Sequence, residues 1–326
     1  MGDPRGIGPE ICAQVLANGE LEDGIGVTVV GASKVMQVAA GNMKLQLDPP
    51  ILSADARELP ETGIGVMDLD NFSPGELDPR EPCARSGQAS LEYIEKAVEL
   101  TTSGRADAVV TGPINKEAIA AAGSKYPGHT EMLADLTGGE RPVMLLLSEE
   151  LMVAFVTTHV ALRDVPESLS IEKISHTIRT LHEGLRTYFG LSTPRIAVCG
   201  LNPHCGDGGR FGTEEADIVE PAMNRVCESG MKVAGPMPSD TVFSNVVRDF
   251  YDGFVALYHD QGMIPIKFCG IQAVTNVTLG LPIIRTSVGH GTAYDIAGKG
   301  SADGASMLRA IRTAARMVRA SRSAGD

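Results

Sequence analysis

The chain has 326 residues, of which 43% are hydrophobic, and this predicts a globular protein with a large core, long enough for two lobes. Its formal net charge of −13 argues against nucleic acid as a partner, because binding a polyanion requires a basic surface. A small anionic substrate is still compatible with that charge, since a few cations in a cleft can outweigh the global field.

Cysteine usage indicates a reducing compartment. Six cysteines lie along the chain without a CxxC pair or a regular spacing: Cys12, Cys83, Cys199, Cys205, Cys227 and Cys269. With no recognisable signal peptide, this pattern predicts free thiols in a cytoplasmic protein rather than a disulfide scaffold or a cysteine-ligated metal. No apolar run approaches the roughly 18 residues that a membrane span requires, so no membrane partner is expected.

The chain opens on a glycine- and proline-rich loop that leads directly into a helix. The loop spans residues 2–8, and the helix runs over about residues 9–16, with Pro9 in the first turn, where a missing N–H is harmless. Such a loop normally follows a strand. We therefore expect either that the numbered start is truncated or that the first strand of this sheet has been lost.

Strands and helices then alternate. The predicted elements are a strand at 26–31, a helix to about residue 40 with Ser33 as its N-cap, a surface connection with short strands at 48–80, a helix at 86–102, a strand at 106–111 and a helix ending near 123. This alternation is typical of a doubly wound α/β domain.

The pattern of predicted elements changes after Tyr126, where a pair of antiparallel strands is predicted. Residues 143–147 and 151–157 are predicted to form a hairpin. The remaining predicted elements are a helix opening at Gly128, a helix at 170–188, a strand at 195–199, a helix at 214–227, strands at 253–258, 273–278 and 283–286, and a helix at 302–320. The sequence therefore predicts an α/β fold of mostly parallel sheets with an antiparallel portion. We place the first lobe at residues 1–125 plus 285–326 and the second at 126–284.

Histidines follow three predicted strands at the point where each strand ends. These are His159, His204 and His259. Ligands of α/β sheets bind past the carboxyl ends of strands, so we interpret the three as one site. Neutral imidazole is the commonest protein ligand of divalent transition metals, which makes a metal site one reading. The other is that each is a loop histidine with a satisfied hydrogen bond.

A second set of polar residues also lies at element ends and suits a phosphate or carboxylate. It comprises His129, Thr130, Lys267, Asn276 and Arg285. Arginine supplies a planar fork, lysine a point charge and a helix start free N–H groups. The alternative for Lys267 and Arg285 is an ordinary surface charge.

Two carboxylates and one glycine-rich segment complete the candidates. Asp240 is either the N-cap of a short helix or a group beside the metal, and Asp260 either orients His259 or moves a proton. With Lys267, these are our candidate catalytic residues. In the segment 290–300, small residues allow close approach to a flat ligand, although glycine turns before the last helix would look similar. The loop at 2–8 is not GxGxxG, so it does not indicate a Rossmann site.

Seven motifs, in order and almost end to end, resemble the 4-hydroxythreonine-4-phosphate dehydrogenase family. They are Gly2-Asp3-Pro4 with Gly6-Ile7-Gly8-Pro9-Glu10, Thr111-Gly112-Pro113-Ile114-Asn115-Lys116, Gly128-His129-Thr130-Glu131, Thr157-Thr158-His159, Gly200-Leu201-Asn202-Pro203-His204, Tyr258-His259-Asp260-Gln261-Gly262 and the segment from Arg285 to Gly300.

This resemblance implies a two-lobed fold like that of isocitrate and isopropylmalate dehydrogenases, acting as a homodimer. It implies oxidation of the C3 hydroxyl of a 4-phosphorylated 3-hydroxy acid by NAD or NADP, followed by loss of carbon dioxide. His159, His204 and His259 would hold Zn, Mg, Mn or Co, one of them coming from the partner subunit. His129, Thr130, Lys267, Asn276 and Arg285 would bind the substrate. The dinucleotide would lie against His290, Gly291, Thr292, Ala293 and Asp295.

Residue 289 departs from the family pattern. It is Gly, where the vitamin B6 enzymes of the family usually carry Asp. Loss of a carboxylate near the substrate amine would weaken recognition of an amino group, so 4-phospho-D-threonate or 4-phospho-D-erythronate dehydrogenase is the second hypothesis. More remote alternatives are a non-catalytic protein that binds phosphorylated acids and a dehydrogenase of carboxylated cyclic diols.

Overall fold

The computed structural model describes residues 1–18, 21–270 and 274–323. Its helices are α1 (Gly8–Asn18), α2 (Ser33–Asn42), α3 (Ala84–Thr102), α4 (Lys116–Ala121), α5 (His129–Thr137), α6 (Val165–Ser168), α7 (Ile171–Phe189), α8 (Glu220–Cys227), α9 (Asn245–Arg248), α10 (His259–Phe268) and α11 (Ala305–Ser323). Single 3₁₀ turns lie at Pro74–Glu76, Leu162–Asp164 and Pro203–Gly206, and a π-helical turn, Glu215–Val219, precedes α8.

The strands are β1 (Gly26–Gly31), β2 (Ile51–Ser53), β3 (Gly63–Asp68), β4 (Ala108–Thr111), β5 (Val143–Leu147), β6 (Met152–Phe155), β7 (Arg195–Cys199), β8 (Lys232–Met237), β9 (Gly253–Ala256), β10 (Thr275–Leu279) and β11 (Ile284–Val288). The predicted strand at 273–278 corresponds to β10, although Ala273 lies outside the described residues. Parallel pairs predominate and β5 is antiparallel to both β6 and β10, so the predicted fold class is confirmed.

The chain divides into two units, the first of which contains residues 1–140 and 281–315. Here β1, β3 and β2 form a parallel sheet in that order, and β4 pairs in parallel with β11. Helix α3 buries Leu91, Ile94 and Val98 against Met132 and Leu133 of α5. The same cluster contains Val109 of β4 and Ile283, which directly precedes β11.

The second unit contains residues 141–280 and those from 316 onward. Its strands are ordered β10, β5, β6, β9, β7, β8, and from β6 to β8 neighbouring strands are parallel. Strand β9 is buried along its whole length, as a central parallel strand covered on both faces should be. Because β6, β9, β7 and β8 run the same way, their carboxyl ends lie at one edge of the sheet.

The structure moves the predicted lobe boundaries. Residues 126–140 were expected in the second lobe but belong to the first unit, because Met132 and Leu133 of α5 pack against α3. Residues 281–284 also belong to the first unit, and the last residues of α11, from Arg316, belong to the second.

Two local predictions need correction. Ser33 is the first residue of α2 rather than its cap, because its hydroxyl donates a hydrogen bond to Asp68 instead of serving the helix terminus. The sequence assigned no element to 259–268, where the structure has α10. All six cysteines are free thiols, as predicted. Within the described residues, no helix combines the length and apolar character that crossing a bilayer requires.

Candidate active site

Two of the three strand-end histidines lie side by side in the second unit. Strands β6 and β9 are in parallel register, with Phe155 opposite Ala256, and the pairing continues beyond them because Thr157 donates from Oγ1 to the carbonyl of Leu257 at 2.7 Å. His159 and His259 follow directly, with ring centroids 6.0 Å apart. The shared register of two neighbouring strands thus brings these imidazoles together.

The ring of His259 is oriented by the next residue. Its Nδ1 lies 2.6 Å from Oδ1 of Asp260. With the Nδ1 proton bonded to this carboxylate, Nε2 keeps its lone pair available, which is the arrangement common around metal-bound histidines. Asp260 and Asp240 line one groove of about 880 Å³ in the second unit, together with Tyr258, Ser239 and the buried Gln261. The two predicted carboxylates therefore share a ligand-sized space.

His204 lies past β7, whose carboxyl end is at the same sheet edge, on a loop of unusual backbone conformation. His204, Cys205 and Asp207 all have positive φ, of 52°, 53° and 43°. Among the described residues of one chain, no group of three or more His, Cys, Asp or Glu side chains is close enough to hold a metal ion. A single chain thus brings together two of the three predicted ligands.

In the first unit, Arg285 is buried and its charge acts on the half-buried His129. Arg285, on β11, is only 2% exposed, which excludes the reading as a surface charge, and its Nη2 donates to Oγ1 of Thr111 on β4 at 2.7 Å. Burial lowers the pKa of the Arg285 guanidinium to about 10, so it remains a cation at neutral pH. Burial, and then the charge of Arg285, depress the pKa of His129 well below its usual value. A fixed cation beside a neutral imidazole can bind an anion.

The buried Nε2 of His129 has no hydrogen-bond partner within the part of the chain that the structure describes. A buried polar atom left unsatisfied costs about 1–3 kcal/mol, so a hydrogen-bonding ligand at this atom would be favourable. Thr130, the next residue, lies in the first turn of α5, where backbone N–H groups are free. Three of the five predicted substrate-binding residues, His129, Thr130 and Arg285, therefore lie in the first unit.

The other two predicted substrate residues lie in the second unit. Lys267 is in the last turn of α10 and its side chain is exposed. Asn276 is on β10, opposite Leu146 of β5. Its buried Oδ1 has no partner among residues 1–18, 21–270 and 274–323. Lys267 by itself is thus compatible with a solvated surface charge, whereas Asn276 presents an unused acceptor.

The predicted dinucleotide segment follows β11 as turns in the first unit. His290, Gly291 and Asp295 are exposed, whereas Thr292 is 7% exposed. The carbonyl of Thr292 accepts the N–H of Ile7 at 2.9 Å, so this residue anchors the segment to the first loop. Ala293 has a φ of 44°. The exposed residues, rather than Thr292, are those available to a ligand.

Sequence reasoning assigned no role to Asp3, which is fully buried in the structure. Its carboxylate accepts from the hydroxyl of Tyr294 at 2.8 Å, the hydroxyl of Ser86 at 3.2 Å and the N–H of Arg5 at 2.9 Å. Burial raises the pKa of Asp3 despite these bonds. The motif Gly2-Asp3-Pro4 marked the position, but only the fold reveals that Asp3 ties the first loop to the segment around Tyr294.

His129 should make stability depend on pH. Since its pKa is depressed in the folded state, the unfolded chain binds a proton below about pH 6.5 that the folded chain does not, and stability falls as the pH is lowered, by up to about 1.4 kcal/mol per pH unit. Urea unfolding at pH 7.5, 6.5 and 5.5 should show a weaker decline for His129→Gln than for the wild type. His290→Gln, which removes an exposed imidazole from the same unit, should retain the wild-type decline. Parallel curves for wild type and His129→Gln would contradict this assignment.

Fold and site together define a class. This is an α/β protein with polar residues past the carboxyl ends of parallel strands and, separately, an arginine and a histidine that can bind an anion. A family model described as "Pyridoxal phosphate biosynthetic protein PdxA" matches residues 25–314. The chain belongs to this family, and the resemblance found in the sequence is confirmed.

Relatives carry two different substrate names. The chain is 44% identical over 322 residues to a 4-hydroxythreonine-4-phosphate dehydrogenase of Trichlorobacter lovleyi, covering 98% of this chain and 96% of the relative. It is 42% identical over 320 residues to a D-threonate 4-phosphate dehydrogenase of Cupriavidus necator, covering 98% and 96%. A crystal structure of 4-hydroxythreonine-4-phosphate dehydrogenase from Klebsiella pneumoniae matches with a TM-score of 0.86 at 41% identity, over 98% of this chain and 96% of that one.

Proposed function

We propose that this protein is a dehydrogenase that oxidises the C3 hydroxyl of a 4-phosphorylated 3-hydroxy acid, with loss of carbon dioxide, and that its substrate is 4-hydroxythreonine 4-phosphate. The observation that carries the proposal is the buried Arg285 together with the half-buried His129, whose Nε2 is enclosed. A buried cation beside an imidazole nitrogen without a partner suits a phosphate, and the relatives named above are dehydrogenases of phosphorylated acids.

On this proposal, the chain's own groups bind and orient the acid. The Arg285 guanidinium offers a planar fork to the phosphate, with Thr111 fixing its Nη2 at 2.7 Å. His129, kept neutral by burial and by Arg285, adds one hydrogen bond without a second buried charge. Lys267 and Asn276 are assigned to the substrate as well, and Asp240, Asp260 and Lys267 are the candidates for proton transfer.

A divalent metal fits the residues present. His159 and His259 are adjacent, and Asp260 engages Nδ1 of His259 so that Nε2 is free to coordinate. A bound Zn²⁺, Mg²⁺, Mn²⁺ or Co²⁺ would supply Lewis-acid polarisation of the hydroxyl that is oxidised. We assign the third ligand to His204 of a second copy of the chain. Within the described parts of one chain no group of three or more His, Cys, Asp or Glu side chains clusters, and this supports a shared site.

The homodimer and the cofactor belong to the same proposal. Exposed apolar side chains on α10 support a partner surface next to His259, since Ile264 is 68% and Phe268 93% exposed. NAD or NADP would accept the hydride, bound at His290, Gly291, Thr292, Ala293 and Asp295. Thr292 would act there through its anchored backbone. The free thiols support a cytoplasmic location.

A second candidate is 4-phospho-D-threonate or 4-phospho-D-erythronate dehydrogenase. It is favoured by Gly289, which is exposed directly after β11 and donates its N–H to Oγ of Ser306 at 3.4 Å. A glycine at this position offers no carboxylate to a substrate ammonium group. A hydroxylated acid loses nothing by that absence, whereas an aminated acid loses an ion pair.

Both candidates are tested by one kinetic comparison. Purified protein is incubated with NAD⁺ or NADP⁺, each of the four metals, and the 4-phosphates of hydroxythreonine, D-threonate and D-erythronate, and reduced nicotinamide is followed by absorbance. Turnover of the aminated acid with the higher kcat/KM supports the first candidate. A higher kcat/KM for a hydroxylated acid supports the second, and Gly289→Asp should then shift the preference toward the aminated acid.

The remaining outcomes reject the dehydrogenase assignment. Absence of turnover with every acid, metal and nucleotide, together with thermal stabilisation by a phosphorylated acid, would indicate a binding protein instead. Turnover of a carboxylated cyclic diol, with no turnover of any phosphorylated acid, would contradict the role given to Arg285.

A further inference from the structure

The buried side chain of Gln261 joins three separate segments of the second unit. Its Oε1 accepts the N–H of Leu257 at 2.6 Å, and its Nε2 donates to the carbonyl of Gly200 at 2.7 Å and to Oγ of Ser239 at 2.8 Å. Ser239 closes the triangle by donating from Oγ to the same Gly200 carbonyl at 3.0 Å. With 6% exposure, Gln261 makes these bonds away from solvent, where hydrogen bonds are strongest.

Each segment that Gln261 joins carries a candidate site residue. Gly200 starts the loop to His204, Ser239 immediately precedes Asp240, and Gln261 itself lies two residues after His259 on α10. We infer that Gln261 is a positioning residue: it fixes Asp240 and His259 of one site, and through Gly200 it holds the loop whose His204 serves the site of the second copy. This inference rests on the proposed function, and it names the residue that sets the geometry of that site.

The loop that carries His204 needs such support. The left-handed conformations of His204, Cys205 and Asp207 are unfavourable for residues other than glycine and persist only where surrounding bonds impose them. Glu215, 3% exposed, holds the loop from its other side. Its Oε1 accepts the N–H groups of Leu201 at 2.8 Å and of Asn202 at 2.7 Å.

Tight packing leaves Gly200 little freedom to compensate for a lost bond. A Cβ atom at Gly200 would lie 2.7 Å from the sulfur of Cys205 and 3.3 Å from Oε1 of Glu215. Helix α10 is held just as closely, because a Cβ at Gly262 would lie 2.6 Å from the ring of Phe155. Between these two closely packed segments, the amide of Gln261 provides a hydrogen bond from the helix to the loop.

The test compares Gln261→Leu and Gln261→Glu with wild type. Gln88→Leu, on the exposed face of α3 in the first unit, is the matched control. Loss of groups that orient metal ligands typically lowers metal affinity about 10–100-fold, so we expect the Kd for Co²⁺, read from its visible absorption, to rise by that factor. We expect kcat to fall about 10–100-fold, with KM for the phosphorylated acid changed less than about threefold, because misplaced groups impair the reaction more than anion binding.

Amide hydrogen exchange on the metal-free protein provides a readout independent of activity. The Gln261 variants should exchange faster in peptides covering 200–207 and 237–241, and the Gln88 control should match wild type throughout. Ser239→Ala, which removes a smaller part of the triangle, should show a smaller change in the same peptides. It keeps the inference testable if the Gln261 variants do not fold.

Two results would overturn the inference. One is unchanged exchange at 200–207 and 237–241 in every folded variant. The other is a lower melting temperature with wild-type kcat and an unchanged Co²⁺ spectrum, since this would make Gln261 a stabilising residue only. If wild-type protein neither binds Co²⁺ nor turns over any acid, the proposed function fails, and the exchange data still decide whether Gln261 orders these segments.

Discussion

His259→Ala should abolish most dehydrogenase activity, lowering kcat/KM by about 10³-fold or more. The substitution removes one of two adjacent imidazoles and leaves Asp260 without the ring that it orients. A metal contributes several kcal/mol of transition-state stabilisation, and each 1.36 kcal/mol corresponds to a factor of ten in rate. Initial rates of nicotinamide reduction and titration with Co²⁺ measure the two effects separately.

His182→Ala is the matched control for His259→Ala. It removes a partly exposed imidazole from helix α7 of the same unit, at a position with no proposed role in the site. The control should keep wild-type rates and Co²⁺ affinity, and circular dichroism should show both variants folded. If His259→Ala still binds the metal and keeps a rate within threefold of wild type, His259 is not part of the site.

The strand-end histidines were predictable because the signal is local. An apolar run such as residues 253–258 stops abruptly at His259, and α/β topology brings the carboxyl ends of parallel strands to one edge. The sequence could not predict which neighbours share register. The pairing of Phe155 with Ala256, which sets His159 beside His259, depends on contacts about 100 residues apart along the chain.

Helix α10 shows where local propensity misleads. Gly262 and Pro265 oppose a helix in any propensity scale, and they hid this element in the sequence. In the fold, Gly262 is required because α10 packs so closely on Phe155 that a side chain would not fit. Tertiary packing thus overrides propensity at the helix that carries His259. The role of Gln261 could not be predicted from the sequence either, because its hydrogen bonds to Gly200 and Ser239 are tertiary contacts.

Burial was likewise hidden for the charged candidates. Arg285 and Lys267 both end apolar runs, yet the first is 2% exposed and the second is exposed to solvent. The difference arises because Arg285 lies within β11, paired in parallel with β4, whereas Lys267 lies in the last turn of a surface helix. A sequence pattern marks the end of an element but not the depth at which that end lies.

Arg285→Met should weaken binding of the phosphorylated acid by about 30- to 1,000-fold. Removing one partner of a buried charged hydrogen-bonded pair costs about 2–4 kcal/mol, and 1.4 kcal/mol is a factor of ten in Kd. The methionine is an unbranched apolar side chain that can occupy part of the space of the arginine, and circular dichroism and thermal melting check that the variant is folded despite the lost bond to Thr111. Isothermal titration calorimetry of wild type and variant with the phosphorylated acid gives the two Kd values.

The decisive comparison uses the same acid without its phosphate. If Arg285 binds the phosphate, the dephosphorylated acid should bind wild type and Arg285→Met with similar, weak affinity, because the group that the guanidinium recognises is absent. Arg57→Met, which removes an exposed arginine from the same unit, should leave both affinities unchanged. An equal loss for the phosphorylated and dephosphorylated acids would show that Arg285 supports the fold around β4 and β11 rather than the phosphate, and the anion site would then have to lie elsewhere.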